Sequence, residues 1–430
     1  MSSEQSVQIS DSYKKCRNFK LNFGIDMNWE VKKLSEIATT FEDGNWIESK
    51  DQSPNGIRLV QTGNVGNGKF KDRRDKARYI SEETFKKLRC TEIYQGDILV
   101  SRLPDPVGRA CILPETGDKM ITAVDCTIIR LNQNKVLPKW LLYYTTSDTY
   151  QYEIQKRVTG ATRQRISRKN LGLIPIPVAP LPEQQRIVSI LDRAFAAIDK
   201  AKANAEQNLQ NANELFVSYL QGVFEKKGVG WEEKTLGEIA FVKSGGTPLR
   251  HKIEYWRGDI AWYSSGELNN LYTSAPERHI NELAIENSNA KLFPKGSLLI
   301  GMYDTAALKM SIIDRDAAFN QAIAGVKPNP EIDLLFILHS INSIKSDILK
   351  LRRGVRQKNL SLQKIKNIPI ALPSLKQQQT IVRQLDALRA ETQKLEAVYQ
   401  KKMDDLEELK KSILQKAFAG ELETETLQTA

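Results

Sequence analysis

The chain contains two long helical patterns that match each other without a gap. In the first, residues 181–224, apolar and small residues recur at alternating steps of three and four. Adding 194 to each number carries this pattern onto a second segment, so that Ile187 corresponds to Ile381. Such spacing predicts a long helix that packs along another helix. Two unrelated amphipathic helices are the plain alternative, but an ungapped match of over forty residues favours an internal duplication.

We predict that the two helices run antiparallel and pack along a seam of apolar side chains. The seam takes the alternating heptad positions of each helix. It contains Ile187, Leu191, Ile198 and Leu215 in the first helix, and Ile381, Leu385, Leu388, Leu395, Leu406 and Leu409 in the second. As a helix, residues 181–224 would be about 66 Å long at ~1.5 Å per residue.

The remainder of the chain is duplicated as well. Residues 29–38 recur at 231–240, and residues 95–100 recur at 295–300. We therefore expect a mixed α/β fold with two globular halves and two long helices. The predicted segments are an N-terminal arm (1–27), a globular half (28–178), a central helix (179–228), a second globular half (229–372), a distal helix (373–420) and a tail (421–430).

Short β-branched and apolar runs bounded by Gly and Pro predict strands inside each half. The predicted strands are 57–60, 97–100, 121–131, 260–263 and 298–302, and the predicted helices are 81–88, 138–155 and 332–351. Each half closes with a strand that contains proline, at 174–177 and 368–370. Because proline lacks a backbone N–H, these two are expected to be edge strands.

The composition restricts the class of protein. A net charge of +11 favours a polyanionic partner. No apolar run reaches the length of a membrane span, and the N-terminus does not have the pattern of a signal peptide. The four widely spaced cysteines, Cys16, Cys90, Cys111 and Cys126, suggest reduced thiols in a cytoplasmic protein with no membrane partner.

Basic residues cluster at equivalent places just before each long helix. Residues 160–167 match 354–361 at an offset of 194, and each segment is a glycine turn with a glutamine between two basic residues. Such side chains contact phosphates and base edges of DNA. A solvated charged loop is the alternative, but recurrence in both halves favours DNA binding. The predicted contacts here are Arg163, Gln164 and Arg165 in the first copy and Arg356, Gln357 and Lys358 in the second.

Turns that follow strands supply the other candidate DNA contacts. The basic run 69–78 is either a phosphate clamp or an ordinary charged surface, since its counterpart is much less basic. The polar turns after 57–60 and 260–263 differ between the halves, as expected if each half recognises different bases or if the loops are unconstrained. The candidates are Gln61, Thr62, Asn64, Lys71, Arg73, Arg74 and Arg102 in the first half and Ser264, Ser265, Glu267, Asn269 and Tyr303 in the second.

Motifs of catalytic or cofactor chemistry are missing from the sequence. It has no Gly-x-x-x-x-Gly-Lys-Ser/Thr phosphate loop, no dinucleotide Gly-x-Gly-x-x-Gly motif, and no Asn/Asp-Pro-Pro-Tyr/Phe motif of amino-methylating enzymes. Only three histidines are present, which makes a histidine-based centre improbable. We therefore predict no catalytic, cofactor-binding or metal-binding residue in this chain.

Taken together, residues 28–420 resemble the specificity subunit of type I restriction–modification systems. The resemblance rests on the repeated Trp-Glu…Leu-x-Glu-Ile-Ala openings, the Gly-Asp-Ile-Leu and Gly-Ser-Leu-Leu strands and the Phe-Asn-Gln-Ala segment at 319–322. It also rests on the glycine–glutamine loops and on the Leu-Pro-Glu-Gln-Gln-Arg-Ile-Val helix start at 181–188. The distal helix departs from this pattern, because its start lacks the Pro-Glu of the first copy.

The resemblance implies two target recognition domains, each recognising one half of a bipartite sequence in double-stranded DNA. It implies that the helices act as a spacer and dock two modification subunits, which bind S-adenosylmethionine and methylate adenine. Restriction subunits would add translocation and cleavage with ATP and Mg²⁺. The joined halves would give a pseudo-two-fold axis that mirrors the dyad of duplex DNA.

Two other functions are compatible with parts of the pattern. One is a stand-alone bipartite DNA-binding regulator without methylation or restriction partners. Apolar residues on the outer faces of the long helices would favour partner docking over that function. The other is a structural coiled-coil protein, which the two large globular halves make a poor fit.

Overall fold

The computed structural model describes residues 29–350 and 359–422, which form two compact units of similar architecture. Of the described residues, those up to Asn204 and from Lys402 onward form the first unit, and those of Ala205–Lys401 form the second. Each unit therefore contains one globular half and one part of each long helix. None of the helices in the described ranges is long and apolar enough to span a membrane.

From residue 29 to the start of the central helix, the described residues of the first globular half form ten strands and five α-helices. In chain order these are β1 (Glu30–Lys33), α1 (Leu34–Ile37), β2 (Ala38–Asp43), β3 (Ile57–Val60), β4 (Arg78–Ile80), α2 (Glu82–Lys87), β5 (Glu92–Ile93), β6 (Ile98–Ser101), β7 (Ala110–Ile112), β8 (Met120–Thr122), β9 (Cys126–Leu131), α3 (Pro138–Thr145), α4 (Asp148–Gln155), α5 (Arg168–Gly172) and β10 (Pro175–Val178). The central helix is α6 (Leu181–Glu225).

The second globular half repeats this order with small differences. Its elements are β11 (Glu232–Thr235), α7 (Leu236–Ile239), β12 (Val242–Ser244), β13 (Ile260–Tyr263), β14 (Arg278–Ile280), α8 (Glu282–Glu286), β15 (Leu298–Gly301), β16 (Met310–Ile312), β17 (Ala317–Phe319), β18 (Ile323–Val326), α9 (Leu334–Ser343), α10 (Lys345–Lys350), α11 (Leu362–Lys366) and β19 (Pro369–Leu372). The distal helix is α12 (Leu375–Ala419).

Each half contains three small sheets whose strand orders correspond, except that β5 is represented in the second half by an isolated bridge between Phe293 and Ala317. In the first half the orders are β2-β9-β6-β7, β4-β3-β8-β5 and β1-β10, and in the second β12-β18-β15-β16, β14-β13-β17 and β11-β19. The pairs β3–β8 and β13–β17 are parallel, and the other ladders are antiparallel. The predicted mixed α/β fold and its duplication are confirmed.

Three predicted elements are divided in the structure. The predicted strand 121–131 forms β8 and β9, which belong to different sheets because a turn closes where Cys126 N donates to Ala123 O (2.9 Å). The predicted helix 138–155 forms α3 and α4, since the Ser147 hydroxyl accepts from Tyr150 N and starts a new helix. The predicted helix 332–351 is interrupted at Ile344.

The repeated Leu-x-Glu-Ile-Ala opening forms a short helix with a capped first turn. Leu34 and Leu236 are fully buried. The carboxylate of Glu36 accepts from Lys33 N (2.9 Å), and that of Glu238 accepts from Thr235 N (2.6 Å). These backbone hydrogen bonds lower the pKa of both carboxyl groups and satisfy an N–H that the helix leaves open. The motif is therefore a structural feature of each half.

The glutamine at the start of each long helix is buried and fixes the helix to its globular half. Gln184 accepts from Leu137 N (2.9 Å) and donates to Lys135 O (2.9 Å) and Ala179 O (2.7 Å). Gln378, at an offset of 194, accepts from Asp333 N (2.8 Å) and donates to Glu331 O and Pro373 O. Because both amides saturate buried backbone groups, the repeated Gln has the same role twice.

Within the first unit, the two long helices run antiparallel. Ion pairs join Asp199 to Lys410 and Lys202 to Glu407, so a later residue of the central helix contacts an earlier residue of the distal helix. The distal helix also enters the core of the first half, where the rings of Trp140 and Phe418 are 4.9 Å apart. In the second unit, Leu220, Phe224, Val382 and Leu385 belong to the core of the second half.

The structure corrects the predicted seam at three positions. Ile187, Leu191, Ile198 and Leu385 are buried, and Ile381, Leu388 and Leu406 are half-buried. Leu215, Leu395 and Leu409 are instead 51%, 42% and 48% exposed. A straight α-helix drifts by ~20° per heptad, so four heptads after Ile187 the predicted position has rotated by roughly 80°. Phe216, Leu220 and Phe224 take the inner positions there.

Candidate nucleic-acid interface

In each half, two parallel neighbouring strands end side by side. Val60 of β3 pairs with Thr122 of β8, and Tyr263 of β13 pairs with Phe319 of β17. The loops that follow such a pair leave the sheet at one edge, where they can present side chains together. We call residues 61–66, 102–109, 123–125 and 159–166 loop edge 1, and residues 264–270, 302–309 and 320–322 loop edge 2.

The turn after β3 is held by a buried asparagine. The Oδ1 atom of Asn64 accepts from Gln61 N, and its Nδ2 atom donates to Lys71 O, both at 2.9 Å. Asn64, predicted as a DNA contact, is only 8% exposed and acts as a cap of this turn. Gln61 and Thr62 remain half-buried at the surface of loop edge 1.

The equivalent turn after β13 is held by a carboxylate. Glu267 accepts from Ser264 N (2.6 Å) and from Glu277 N (3.0 Å). It therefore occupies the capping position of Asn64, although it was predicted to contact bases. Asn269 donates to Gly266 O and accepts from Lys309. Ser264 and Ser265 are half-buried, and Tyr303 is 38% exposed.

Arg109 joins the loops of edge 1 to one another, a role that the sequence analysis missed. Its side chain is buried and donates to Val65 O (2.7 Å), Thr62 O (2.8 Å) and Leu103 O (2.7 Å). Burial lowers the pKa of the guanidinium. The sequence did contain a signal for this role, because the second half has a basic residue, Lys309, at the same repeat position. The amine of Lys309 contacts Asn269 of loop edge 2.

Arg102, predicted as a DNA contact, instead lies inside the protein. It is 4% exposed, donates to Val124 O (2.6 Å) and forms an ion pair with Asp43 (3.2 Å). Its Nη1 atom also reaches Ile166 O at 3.4 Å. Its side chain therefore braces residues 123–125 against residues 159–166. The sequence shows that residue 102 is charged but does not show that it is buried, so Arg102 could not be distinguished from a surface arginine.

The glycine loop before the central helix is a closed hairpin. Thr159 and Arg165 exchange both backbone hydrogen bonds at 2.9 Å. Gly160 has φ +97°, and a Cβ there would meet Arg163 O at 2.3 Å, so the turn requires glycine. Arg163 and Gln164 are exposed at the tip. Arg165 is exposed too and forms an ion pair with Asp125 at 2.9 Å.

The matching loop of the second half falls partly outside the described residues. Arg356, Gln357 and Lys358 lie there, so their DNA contacts remain predictions. After residue 358 the chain is described again, and Leu360 N donates to Met302 O (2.8 Å), as Ile166 N donates to Arg102 O (3.2 Å) in the first half.

The basic run 69–78 separates into exposed and internally paired residues. Arg74 forms ion pairs with Asp72 (3.1 Å) and Asp118 (3.0 Å), and the buried Arg58 binds the same two carboxylates. The hydrogen bond from Arg58 holds the pKa of Asp72 below its usual value. Lys71 and Arg73 are exposed. A Cβ at Gly63 would lie 2.8 Å from Arg73 Nη1, which places this guanidinium beside loop edge 1.

Loop edge 1 thus has a rigid base and a polar, cationic surface. The exposed and half-buried candidates in loop edge 1 and in the adjoining basic run are Gln61, Thr62, Lys71, Arg73, Arg163, Gln164 and Arg165. Guanidinium, amide and hydroxyl groups are the types that contact DNA phosphates and base edges. Within the described ranges, no group of three His, Cys, Asp or Glu side chains is arranged to hold a metal ion.

Comparison with sequence families and known proteins identifies relatives that match most of the chain. A family model described as "Type I restriction modification DNA specificity domain" matches residues 27–209 and 228–402. The chain is 32% identical over 279 residues to the specificity subunit of the type I restriction enzyme EcoR124I/EcoR124II of Escherichia coli. That alignment covers 62% of this chain and 65% of the relative, a little under two thirds of its length. A putative type I restriction enzyme MjaX specificity subunit of Methanocaldococcus jannaschii is 23% identical, with coverages of 94% and 95%.

Two solved structures share the fold. One comes from a study of complex assembly and conformational transition of the type I R-M system, with TM-score 0.75 and 18% identity over 92% of this chain and 98% of that chain. The other is the HsdS subunit from Thermoanaerobacter tengcongensis, with TM-score 0.61 and 18% identity over 93% and 99%. At this identity the likeness concerns the fold alone.

Proposed function

The chain belongs to the family of type I restriction–modification DNA specificity proteins, and on that premise we propose that it is the DNA-recognition subunit of such a system. Each globular half recognises one part of a bipartite, asymmetric target through its loop edge. The candidate contacts are the exposed side chains that surround the capped turns.

The observation that supports this proposal is the difference between the two loop edges. Both follow a parallel strand pair, and both turns are capped from the third position. Their outward residues differ, with Gln61 and Thr62 in one and Ser264 and Ser265 in the other. One framework with two sets of hydrogen-bonding side chains suits two different half-sites.

The long helices set the separation of the half-sites and dock two modification subunits. Leu215, Tyr219, Leu395, Val398 and Leu409 are between 40% and 59% exposed on these helices. Large apolar side chains on an outer helix face favour burial against a partner. This observation favours a subunit of a complex over a stand-alone regulator.

The chemistry belongs to the partners in this proposal. Modification subunits supply S-adenosylmethionine and methylate adenine, and restriction subunits use ATP and Mg²⁺ for translocation and cleavage. This chain contributes no catalytic residue and no cofactor site. Its purified form is expected to transfer no methyl group on its own.

The test is a map of methylated adenines, by long-read sequencing, in cells that carry this chain with its modification subunits. We expect methylation at a two-part motif with an unspecific gap, and no such motif in cells that lack only this chain. Methylation that persists without the chain, or that follows one continuous motif, would contradict the proposal.

A further inference from the structure

An open, basic cleft of about 590 Å³ lies along strand β14, at the rim of the sheet β14-β13-β17, and its lining residue Glu277 contacts loop edge 2. It is separate from the residues assigned above to DNA contact. Its lining residues are Arg250, Trp256, Arg257, Gly258, Glu277, Arg278 and His279.

The cleft is built by a close approach of two backbone segments. A Cβ at Gly258 would meet Ile280 O at 2.5 Å, so glycine lets residues 256–258 lie against the edge strand β14. Arg278 is paired with Trp262 in that strand ladder. The cleft is joined to loop edge 2, because Glu277 N donates to the carboxylate of Glu267 that caps the turn.

The charge of the cleft suits an anion. Three guanidiniums and one carboxylate line it, and among the described residues none of the three arginines forms an ion pair. Arg315 of the same unit, by contrast, is bound to Asp314 at 2.8 Å. Guanidinium groups with open donors match the geometry of phosphate oxygens.

An aromatic floor orders part of this site. The guanidinium of Arg278 lies 5.7 Å from the ring centre of Trp256, and Trp256 packs edge-on against Trp262 at 5.0 Å. The indole N–H of Trp256 donates to Leu249 O at 3.3 Å. These contacts hold the cation in place before a ligand arrives, which reduces the entropy cost of binding.

The first half has the same backbone approach and keeps an arginine, Arg78, at the place of Arg278, but it lacks the Trp-Arg pair of residues 256 and 257. A Cβ at Gly56 would meet Ile80 O at 2.6 Å, as at Gly258. The residues before Gly56 are Pro54 and Asn55, in the places of Trp256 and Arg257. The cleft is therefore a special feature of the second half, and it is not required by the shared fold.

We propose that this cleft binds a phosphodiester group of duplex DNA next to the bases that loop edge 2 faces. The inference rests on the proposed function of the chain. The contact adds affinity without sequence information, since phosphates are the same at every base pair. The same chemistry would accept a free phosphate, and the experiment separates the two sources.

The test uses the full-length chain, assembled with its modification subunits, carrying Arg250→Ala and Arg257→Ala together. Binding to a target duplex and to a scrambled duplex is measured over a range of salt concentrations. Each phosphate contact contributes about 0.9 to the slope of log K against log salt. We expect the slope to fall by roughly one to two, with the same fold-loss on both duplexes.

Arg315→Ala is the matched control, because its guanidinium is already paired with Asp314 and it is not among the residues that line the cleft. It is expected to leave the slope unchanged. An unchanged slope in the double variant would overturn the proposal, as would loss of inorganic phosphate binding by calorimetry without any change towards DNA. If the unaltered complex shows no preference for its target duplex, the proposed function itself fails, which is a different result.

Discussion

Arg78 on β4 and Arg278 on β14 are exposed at the same repeat position, but the other basic side chains named above differ: Lys71 and Arg73 follow β3, whereas Arg257 precedes β13. The strands beneath them, β4-β3-β8 and β14-β13-β17, have the same order and pairing, and the turns after β3 and β13 are capped in the same way. The comparison teaches that buried groups fix the framework of both halves. The charges that meet solvent are free to occupy different sides of it.

The largest expected effect is a change of the recognised DNA sequence, and it comes from replacing the loop edge of one half while the other half is kept. Exchange of residues 30–170 for those of a relative should replace one half-site completely and leave the other unchanged, because each loop edge is built within one unit. A methylation map of the chimera checks this. Exchange of residues 232–366 is the control and should change the opposite half-site. A chimera in which both half-sites change would show that the halves are not independent.

A substitution at a core position of the distal helix should lower the free energy of unfolding more than a substitution at a surface position of the same helix. Leu385 is fully buried, and Leu395 is 42% exposed on the same helix. Leu385→Ala should lower the free energy of unfolding by about 2–5 kcal/mol. Leu395→Ala should change it by about 0.5 kcal/mol or less. Denaturant unfolding measures both, and equal losses would refute the corrected seam.

Arg109 and Lys309 occupy one repeat position with different burial. Arg109→Met leaves several buried carbonyls without a donor and should destabilise the first half by about 3 kcal/mol. Lys309→Met breaks one exposed hydrogen bond and should cost under about 1 kcal/mol. Hydrogen exchange of residues 61–66 and 264–270 reports each loop separately. Equal exchange in the two variants would mean that Arg109 does not order its loops.

The buried glutamines should behave alike, since their hydrogen bonds are the same in both halves. Gln184→Ala and Gln378→Ala should each cost about 1–3 kcal/mol, because a buried backbone N–H loses its acceptor. Thermal unfolding of the two variants measures this. Gln207→Ala, at an exposed position of the central helix, serves as the control. A loss confined to one variant would break the equivalence of the helix starts.

The sequence was most informative where periodicity is long. The central helix was predicted over 181–224 and ends at Glu225, because more than ten turns repeat the same signal. The proline-containing segments 174–177 and 368–370 were predicted as edge strands, and they form β10 and β19, each in a two-stranded sheet. The prediction of one strand over 121–131 was wrong, because β8 and β9 belong to different sheets and a continuous apolar segment does not show where the chain passes from one sheet to the other.

The candidate interface was harder to predict because sequence shows residue type without direction. Asn64, Glu267 and Arg102 were chosen for their polar groups, and the structure turns those groups inward onto backbone atoms. Arg109 was overlooked because the carbonyl groups that it binds are distant in the chain. The arginines of the cleft were overlooked because the segments that form the cleft are brought together only by the fold. The exposed candidates, such as Arg163 and Gln164, stay predictions until DNA contacts are measured.

The entry of the distal helix into the first core has a consequence for how the chain is synthesised. The first core includes Leu414, Ala417 and Phe418, whereas the second core needs nothing beyond Leu385. A ribosome therefore supplies every part of the second core before it supplies the last parts of the first. The half that is translated first is completed last, and a nonsense codon shortly before Leu414 would leave the earlier half open while the later one closes.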